Sequence, residues 1–175
     1  MYSVTPDSVN RLVDALSVLF PDAPYFEGET YGMQGLVSRH ETLIGIVKSM
    51  SFHGNLDILE VGSWVGFSAL TWAKAIYHHC PQYGSLTCVD PWKPYVSGTD
   101  YLKGKVYTRM NRLLLSGLAY ALFLHNTKFI SHKIGFSHHV GPLAEVKEKL
   151  GTYDIVYLDG IHYYDDVLAD LRAVH

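Results

Sequence analysis

The chain has 175 residues, of which 48% are apolar and 18% charged, and its formal net charge is -3. That length and balance fit one compact folded domain and exclude a disordered or solvating chain. Lys and Arg are scattered with no polybasic run, so no nucleic-acid partner is expected.

The first residues, Met1-Tyr2-Ser3-Val4, run directly into polar Asp7, Asn10 and Arg11, so no secretory leader is expected. Thr5-Pro6-Asp7 predicts a helix start, with Thr5 as cap and proline in the first turn. Val9, Leu12, Val13, Leu16 and Leu19 then share one face, and Pro21 ends the helix. Pro21 to Gly35 is an ordered loop rich in proline, glycine and aromatics. Leu36 to about Met50 predicts a second helix that buries Leu43, Ile46 and Val47. Leu56 to Val61 is a short apolar run ending in a glycine loop, the pattern of a buried parallel strand. Phe67 to Tyr77 is helical, with Ala69, Leu70, Ala73 and Ile76 as its packed stripe. Leu86 to Val89 is a second strand that ends at Asp90-Pro91.

Asp100 to Leu124 predicts a longer, interrupted helical region. Its apolar part, Leu113 to Leu124, is broken by Ser116 and Gly117 and is shorter than the roughly 20 residues that cross a bilayer. Lys128-Phe129-Ile130 is expected to open a third strand, and Pro142 to Leu150 to form a charged amphipathic helix. Tyr153 to Asp159 is a fourth strand, with a helix from Tyr163 or Tyr164 onward. The alternation predicts an α/β domain, Rossmann-like and doubly wound around a parallel sheet. One structural domain is expected, with an N-terminal helical segment and lid over 1–54 and a core over 55–175. The apolar face of the last helix (Val167, Leu168, Leu171) expects a further element, so the core is expected to be incomplete at its C-terminus. Cys80 and Cys88 match no metal or redox spacing and are expected as plain thiols. A cytoplasmic protein without a membrane partner is the expectation, and self-association into a homo-oligomer stays open.

Ligands of parallel α/β sheets bind where strands turn into helices. Gly62 and Gly66 sit at that turn after the first strand, where glycine brings the backbone close to a ligand. The helix start at Phe67 and Ser68 offers free amides to a carboxylate. Glu60 attracts an ammonium group and repels a pyrophosphate, and the spacing Gly62-x-x-x-Gly66 misses the dinucleotide fingerprint. Asp90, at the end of the second strand, suits ribose hydroxyls, or it is a turn former before Pro91. Trp92 lies against an adenine face or packs in the core. Phe136-Ser137 is expected just past the third strand, near a base, and His132, His138 and His139 around it match no zinc pattern. Asp159 emerges at the end of the fourth strand with His162 three residues on. An imidazole suits proton removal near neutral pH, and the carboxylate orients it or binds a divalent cation. The bland alternative is a helix cap from Asp165 or its neighbours, with His162 a loop residue.

Together, Ile58 to Leu70 (with Glu60-Val61-Gly62-Ser63-Trp64-Val65-Gly66), Val89-Asp90-Pro91-Trp92 and Tyr153 to Tyr164 resemble the motifs of class I S-adenosylmethionine-dependent methyltransferases. The branch most similar is that of small-molecule O-methyltransferases, including macrocin O-methyltransferase-like and cephalosporin hydroxylase-like proteins. Its fourth strand ends in Asp-Gly-x-His-x-Tyr, as in Asp159 to Tyr164. The resemblance covers roughly Leu56 to Leu171. It implies S-adenosylmethionine held by Glu60, Gly62, Ser63, Trp64, Gly66, Phe67 and Ser68, with Asp90 on the ribose. Trp92, Phe136 and Ser137 would stand near the adenine, and Asp159 would line the same site; from its position alone, Tyr25 to Ser38 is expected to close over it. It further implies Asp159 and His162 as catalytic residues acting on a small-molecule acceptor, and Mg2+ on Asp159. Related enzymes take further acidic metal ligands from beyond the next strand, and many carry an acidic residue where this chain has Ser137. Two rival readings stay open: a nonenzymatic nucleotide-binding module, and a nicotinamide-dependent oxidoreductase.

Overall fold

The structure, a computed structural model, describes residues 4–26, 37–94, 105–160 and 163–174. The chain forms two compact units whose segments interleave. One comprises Met1–Gln34, Trp64–Gly66 and Trp92–Phe129, the other Gly35–Ser63, Phe67–Pro91 and Ile130–His175.

The first unit is helical. Helix α1 (Pro6–Leu19) starts as its sequence predicts: Ser8 N donates to Thr5 Oγ1, and Thr5 N donates to Ser8 Oγ. That reciprocal pair satisfies two amides that a helix start leaves open. Val9, Val13 and Leu16 are buried, whereas Leu19, expected on the same stripe, lies in the final turn and is exposed. The interrupted helical region resolves into α4 (Lys105–Leu115) and α5 (Leu118–Thr127), separated at Gly117, where φ is +74°. Helices α1 and α5 pack together.

The second unit holds the sheet. Strands β1 (Leu56–Val61), β2 (Gly84–Asp90), β3 (Gly135–Val140) and β4 (Ile155–Leu158) are all parallel, in the order β3-β2-β1-β4. Helix α2 (Val37–Met50) packs on α3 (Phe67–His79), burying Leu43 and Val47. Ile46, expected beside them, is exposed because the buried stripe is only one i, i+4 line wide. Short α6 (Leu143–Val146), continued by one tight turn at Lys147–Lys149, and α7 (Tyr164–Ala173) complete the elements. Pro142 to Leu150 is therefore a much shorter α-helix than its charge pattern predicts.

The register decides which residues share a face. Glu60 pairs with Cys88 on one side and Tyr157 on the other, and Cys88 pairs with His138. Side chains at paired positions point the same way, so these four line one face with Ile58 and Leu86. Helix α3 covers that face, with Trp72 edge-on to Tyr157 at 5.6 Å. The opposite face carries Leu59, Val61, Val89 and Leu158, packed with Leu143 and Val146 of α6 and Ala173 and Val174 at the end of α7. Helices thus cover both faces, as expected for a doubly wound sheet. At the amino end, Asp57 N donates to Asp154 Oδ2 and Ser85 Oγ donates to Asp57 Oδ1, tying β4, β1 and β2 together.

The third strand lies further along the chain than expected. Lys128 caps α5, Phe129 N turns back to Asn126 O, and β3 begins only at Gly135. As an edge strand of alternating exposure, β3 carries Ser, His and Val where an apolar run would mark a central strand.

The carboxyl ends of β1 and β4 meet very closely. Gly62 has φ +92°, and a Cβ built there would stand 2.3 Å from the Asp159 carbonyl oxygen. Gly62→Ala is expected to cost about 3 kcal/mol or more through combined backbone strain and steric overlap. Gly45→Ala, inside α2 with nothing within 4 Å of the added carbon, is expected to gain about 0.5–1 kcal/mol. Urea denaturation midpoints of both variants against the parent chain check the pair.

Candidate functional site

In the sheet unit, three strand ends converge. Gly62 N donates to Val89 O at 2.8 Å, and Asp159 N donates to Val61 O at 2.8 Å. The sequence of strand neighbours reverses between β1 and β4, which is where open parallel sheets bind ligands. Around that point stand Glu60, Gly62 and Ser63 from β1 and its loop, Asp90 from the end of β2, and Asp159 from the end of β4.

Glu60 is fully buried, and its carboxyl is pushed up to about 7. Burial is the main cause; the Ser68, Ser63 and Cys88 side chains oppose it, and the nearby Asp159 carboxylate adds to it. Cys88 Sγ donates to Glu60 Oε2 at 3.5 Å. Among the described residues, Glu60 Oε1 and Ser63 Oγ lack a partner in good hydrogen-bond geometry. A buried carboxyl with an open oxygen is costly to maintain without a polar ligand. Ser68, buried in the first turn of α3, and Asp90, nearly as buried, complete a polar lining in an otherwise apolar sheet. An ammonium group and a diol both fit this donor and acceptor set.

Asp159 meets a partner that sequence reasoning missed. Arg39, in the first turn of α2, donates from Nη1 to Oδ2 at 2.8 Å and from Nη2 to Oδ1 at 3.3 Å. The Tyr157 phenol hydrogen-bonds the same carboxylate and is pushed up to about 12, chiefly by burial. Both oxygens of Asp159 are engaged, which does not fit the expected Mg2+ position. Among the described residues, no three His, Cys, Asp or Glu side chains come together as a metal-ligand group. Nothing local in Ser38-Arg39-His40 signals the pairing, which depends on how α2 docks. The neighbouring His40 ring lies 4.1 Å from Phe67, and its Nδ1 is 2.8 Å from Thr71 Oγ1, so Phe67 is a packing residue at the start of α3.

Other expected site residues are placed differently. Phe136 and Ser137 are the second and third residues of β3, not residues beyond its end, and the Ser137 hydroxyl is 3.0 Å from Thr87 Oγ1. They stand in the half of the sheet away from the ligand end, because β3 starts later than the sequence suggests. His162 lies outside the described residues, as does most of the expected lid from Tyr25 to Ser38. Cys80 and Cys88 are free thiols. No helix among the described residues is long and apolar enough to cross a membrane.

The remaining loop residues belong to the helical unit and are fixed there by aromatic packing. Trp92 Nε1 donates to Trp64 O at 2.7 Å, and the Trp92 ring lies 4.6 Å from both Tyr120 and Phe123. That is the packing alternative for Trp92. Asn126, fully buried in α5, donates to Val65 O at 2.8 Å and to Tyr25 O at 3.1 Å. At Gly66, φ is +88°, and an added Cβ would press on Phe123 and Thr127 at 3.3 and 3.4 Å. Both loop glycines thus have positive φ and stand where the backbone closely approaches other parts of the protein.

A parallel sheet covered by helices on both faces, with acidic side chains at its carboxyl ends, is the Rossmann-like architecture. The sequence model of the methyltransferase-domain family matches residues 59–175, and the chain belongs to that family. A comparison with curated protein sequences returns no match. Similar solved structures include cofactor-bound Rv0187 from MTB, at 14% identity, covering 96% of this chain and 57% of that one, with a TM-score of 0.48. Another is SAH-bound methyltransferase PaMTH1 of Podospora anserina, at 14% identity, 97% and 57% coverage, and a TM-score of 0.44. A third is the O-methyltransferase TomG of Streptomyces achromogenes, involved in tomaymycin synthesis and solved with SAM, at 16% identity, 99% and 61% coverage, and a TM-score of 0.45. The chain spans between 57% and 61% of the length of these proteins.

A raised carboxyl has a definite signature in stability. The folded chain holds the Glu60 proton up to about pH 7, while an unfolded chain releases it near 4.5. The contribution is therefore complete below about pH 4.5 and is lost as pH rises through 7. Relative to Glu60→Gln, the parent chain is expected to lose about 3 kcal/mol between pH 4.5 and pH 8. Urea unfolding of both proteins across that range reads the difference; parallel pH profiles would contradict it.

Proposed function

We propose that this chain carries the cofactor-binding part of an S-adenosylmethionine-dependent methyltransferase whose acceptor is a hydroxyl of a small molecule, such as a sugar or natural product. The observation that carries the reading is the fully buried Glu60 carboxyl, with an open oxygen, at the carboxyl end of β1. Membership of the methyltransferase-domain family supports it. The choice of a hydroxyl rests on the resemblance of Asp159 to Tyr164 to O-methyltransferases.

When bound, S-adenosylmethionine supplies an electrophilic methyl on a sulfonium. Ionised Glu60 attracts the ammonium of its methionine end, with Ser63 and Ser68 beside the carboxylate. Asp90 accepts hydrogen bonds from the ribose hydroxyls. Gly62 keeps the ends of β1 and β4 together, so that Asp159 lies on the strand next to Glu60. Trp64, Gly66 and Trp92 hold the loop backbone in shape. Asp159 orients, and His162 takes the proton of the acceptor hydroxyl, an imidazole being suited to that task near neutral pH. Displacement at the methyl then requires the acceptor oxygen held in line with the leaving sulfur. An ionised Glu60 would oppose a pyrophosphate, and the third glycine of the dinucleotide fingerprint is missing, which disfavours the nicotinamide reading.

Calorimetric titration of the 175-residue chain with S-adenosylmethionine, S-adenosylhomocysteine and NAD tests the proposal. Both sulfur nucleotides are expected to bind and NAD to give no heat of binding; NAD binding alone would end the reading. Where turnover of a hydroxyl acceptor is measured, His162→Ala is expected to lower it about 10²–10⁴-fold with cofactor affinity retained. An unchanged rate would remove His162 from the mechanism.

A further inference from the structure

We infer that Arg39 takes, on Asp159, the place that a divalent cation holds in related metal-dependent enzymes, so that this site works with a built-in guanidinium. The inference rests on the functional reading above for its purpose, but on the geometry of the pair for its content.

The guanidinium engages both Asp159 oxygens, at 2.8 and 3.3 Å, and the Tyr157 phenol hydrogen-bonds the same carboxylate. The Asp159 side chain is only 14% exposed. A magnesium ion requires near-octahedral oxygen ligation at about 2.0–2.1 Å and surrenders its water reluctantly. To bind there it would have to displace a charge-assisted, two-point contact and leave the guanidinium without its counter-ion.

The charge balance of the site points the same way. Glu60 and Asp159 occupy adjacent strand ends, and the Asp159 carboxylate opposes ionisation of Glu60. A site of two carboxylates calls for one compensating cation. Arg39 supplies it permanently from α2, which is itself fixed by packing on α3. Arginine suits this role because its charge persists at any physiological pH and its planar fork matches a carboxylate. Arg39 is thus a positioning residue: it fixes the Asp159 carboxylate in one orientation at the end of β4.

The test uses thermal unfolding with MgCl2 as the probe, on the parent chain, Asp159→Asn, Arg39→Met and Arg39→Met/Asp159→Asn. The parent midpoint is expected to be the same in millimolar MgCl2 and in EDTA. Arg39→Met is expected to become stabilised by Mg2+, and the added Asp159→Asn change to abolish that response. Arg39→Lys, which restores a cation without the fork, is expected to return the chain toward insensitivity. A purely structural contact would destabilise the variants without creating a magnesium response. A parent chain stabilised by Mg2+ through Asp159, or an Arg39→Met protein that folds and stays insensitive, would overturn the inference. S-adenosylhomocysteine binding measured on the same samples separates the two failures. Its absence would defeat the functional reading, while the Mg2+ response at Asp159 is read independently.

Discussion

The structure of the sheet unit depends on one steric constraint: the ends of β1 and β4 approach so closely that position 62 admits no side chain. That approach brings two carboxylates, Glu60 and Asp159, onto neighbouring strand ends in a poorly solvated place. Each is accommodated differently. Asp159 is paired with Arg39 and the Tyr157 phenol. Glu60 has hydroxyl and thiol neighbours but, among the described residues, no cation in contact with it, and burial holds its proton up to about pH 7. A cationic ligand group arriving at Glu60 would complete the charge balance that Arg39 already completes at Asp159.

The loop between β1 and α3 draws on both units of the chain. Its first residues, Gly62 and Ser63, belong with the sheet, while Trp64–Gly66 belong with the helices. Within the helical unit, the buried Asn126 amide and the Trp92 indole donate to the carbonyls of Val65 and Trp64. These two carbonyls would otherwise be orphaned in an apolar setting, so the side chains fix the loop path. Trp64 and Trp92 both adopt positive φ, at 49° and 42°, in the same small region. Strain of that kind persists only where surrounding contacts enforce it.

Much of this was legible in the sequence because the relevant signals are local. The Thr5 cap, the apolar run of β1, the stripe of α3 and the Asp90-Pro91 strand end each lie within a few residues, and each appears in the structure where predicted. The third strand was misplaced because β3 is an edge strand whose polar residues lack the apolar run that marked β1 and β2. The acidic positions Glu60, Asp90 and Asp159 were visible as strand ends. Their partners Arg39 and Cys88 were not, because pairings across 120 and 28 residues depend on docking and register. The spacing of the glycines reveals a tight turn but not which atoms crowd it.

The charge balance at the strand ends requires that Glu60 carry a proton in the ligand-free protein and give it up to a cationic ligand. Calorimetry of S-adenosylhomocysteine binding at pH 6, repeated in buffers of different ionisation enthalpy, measures that proton directly. The ligand amine is fully protonated there, so the linkage reports on the protein. Release of about one proton per bound ligand, abolished by Glu60→Gln, is the predicted result. Binding whose heat is the same in every buffer would contradict it.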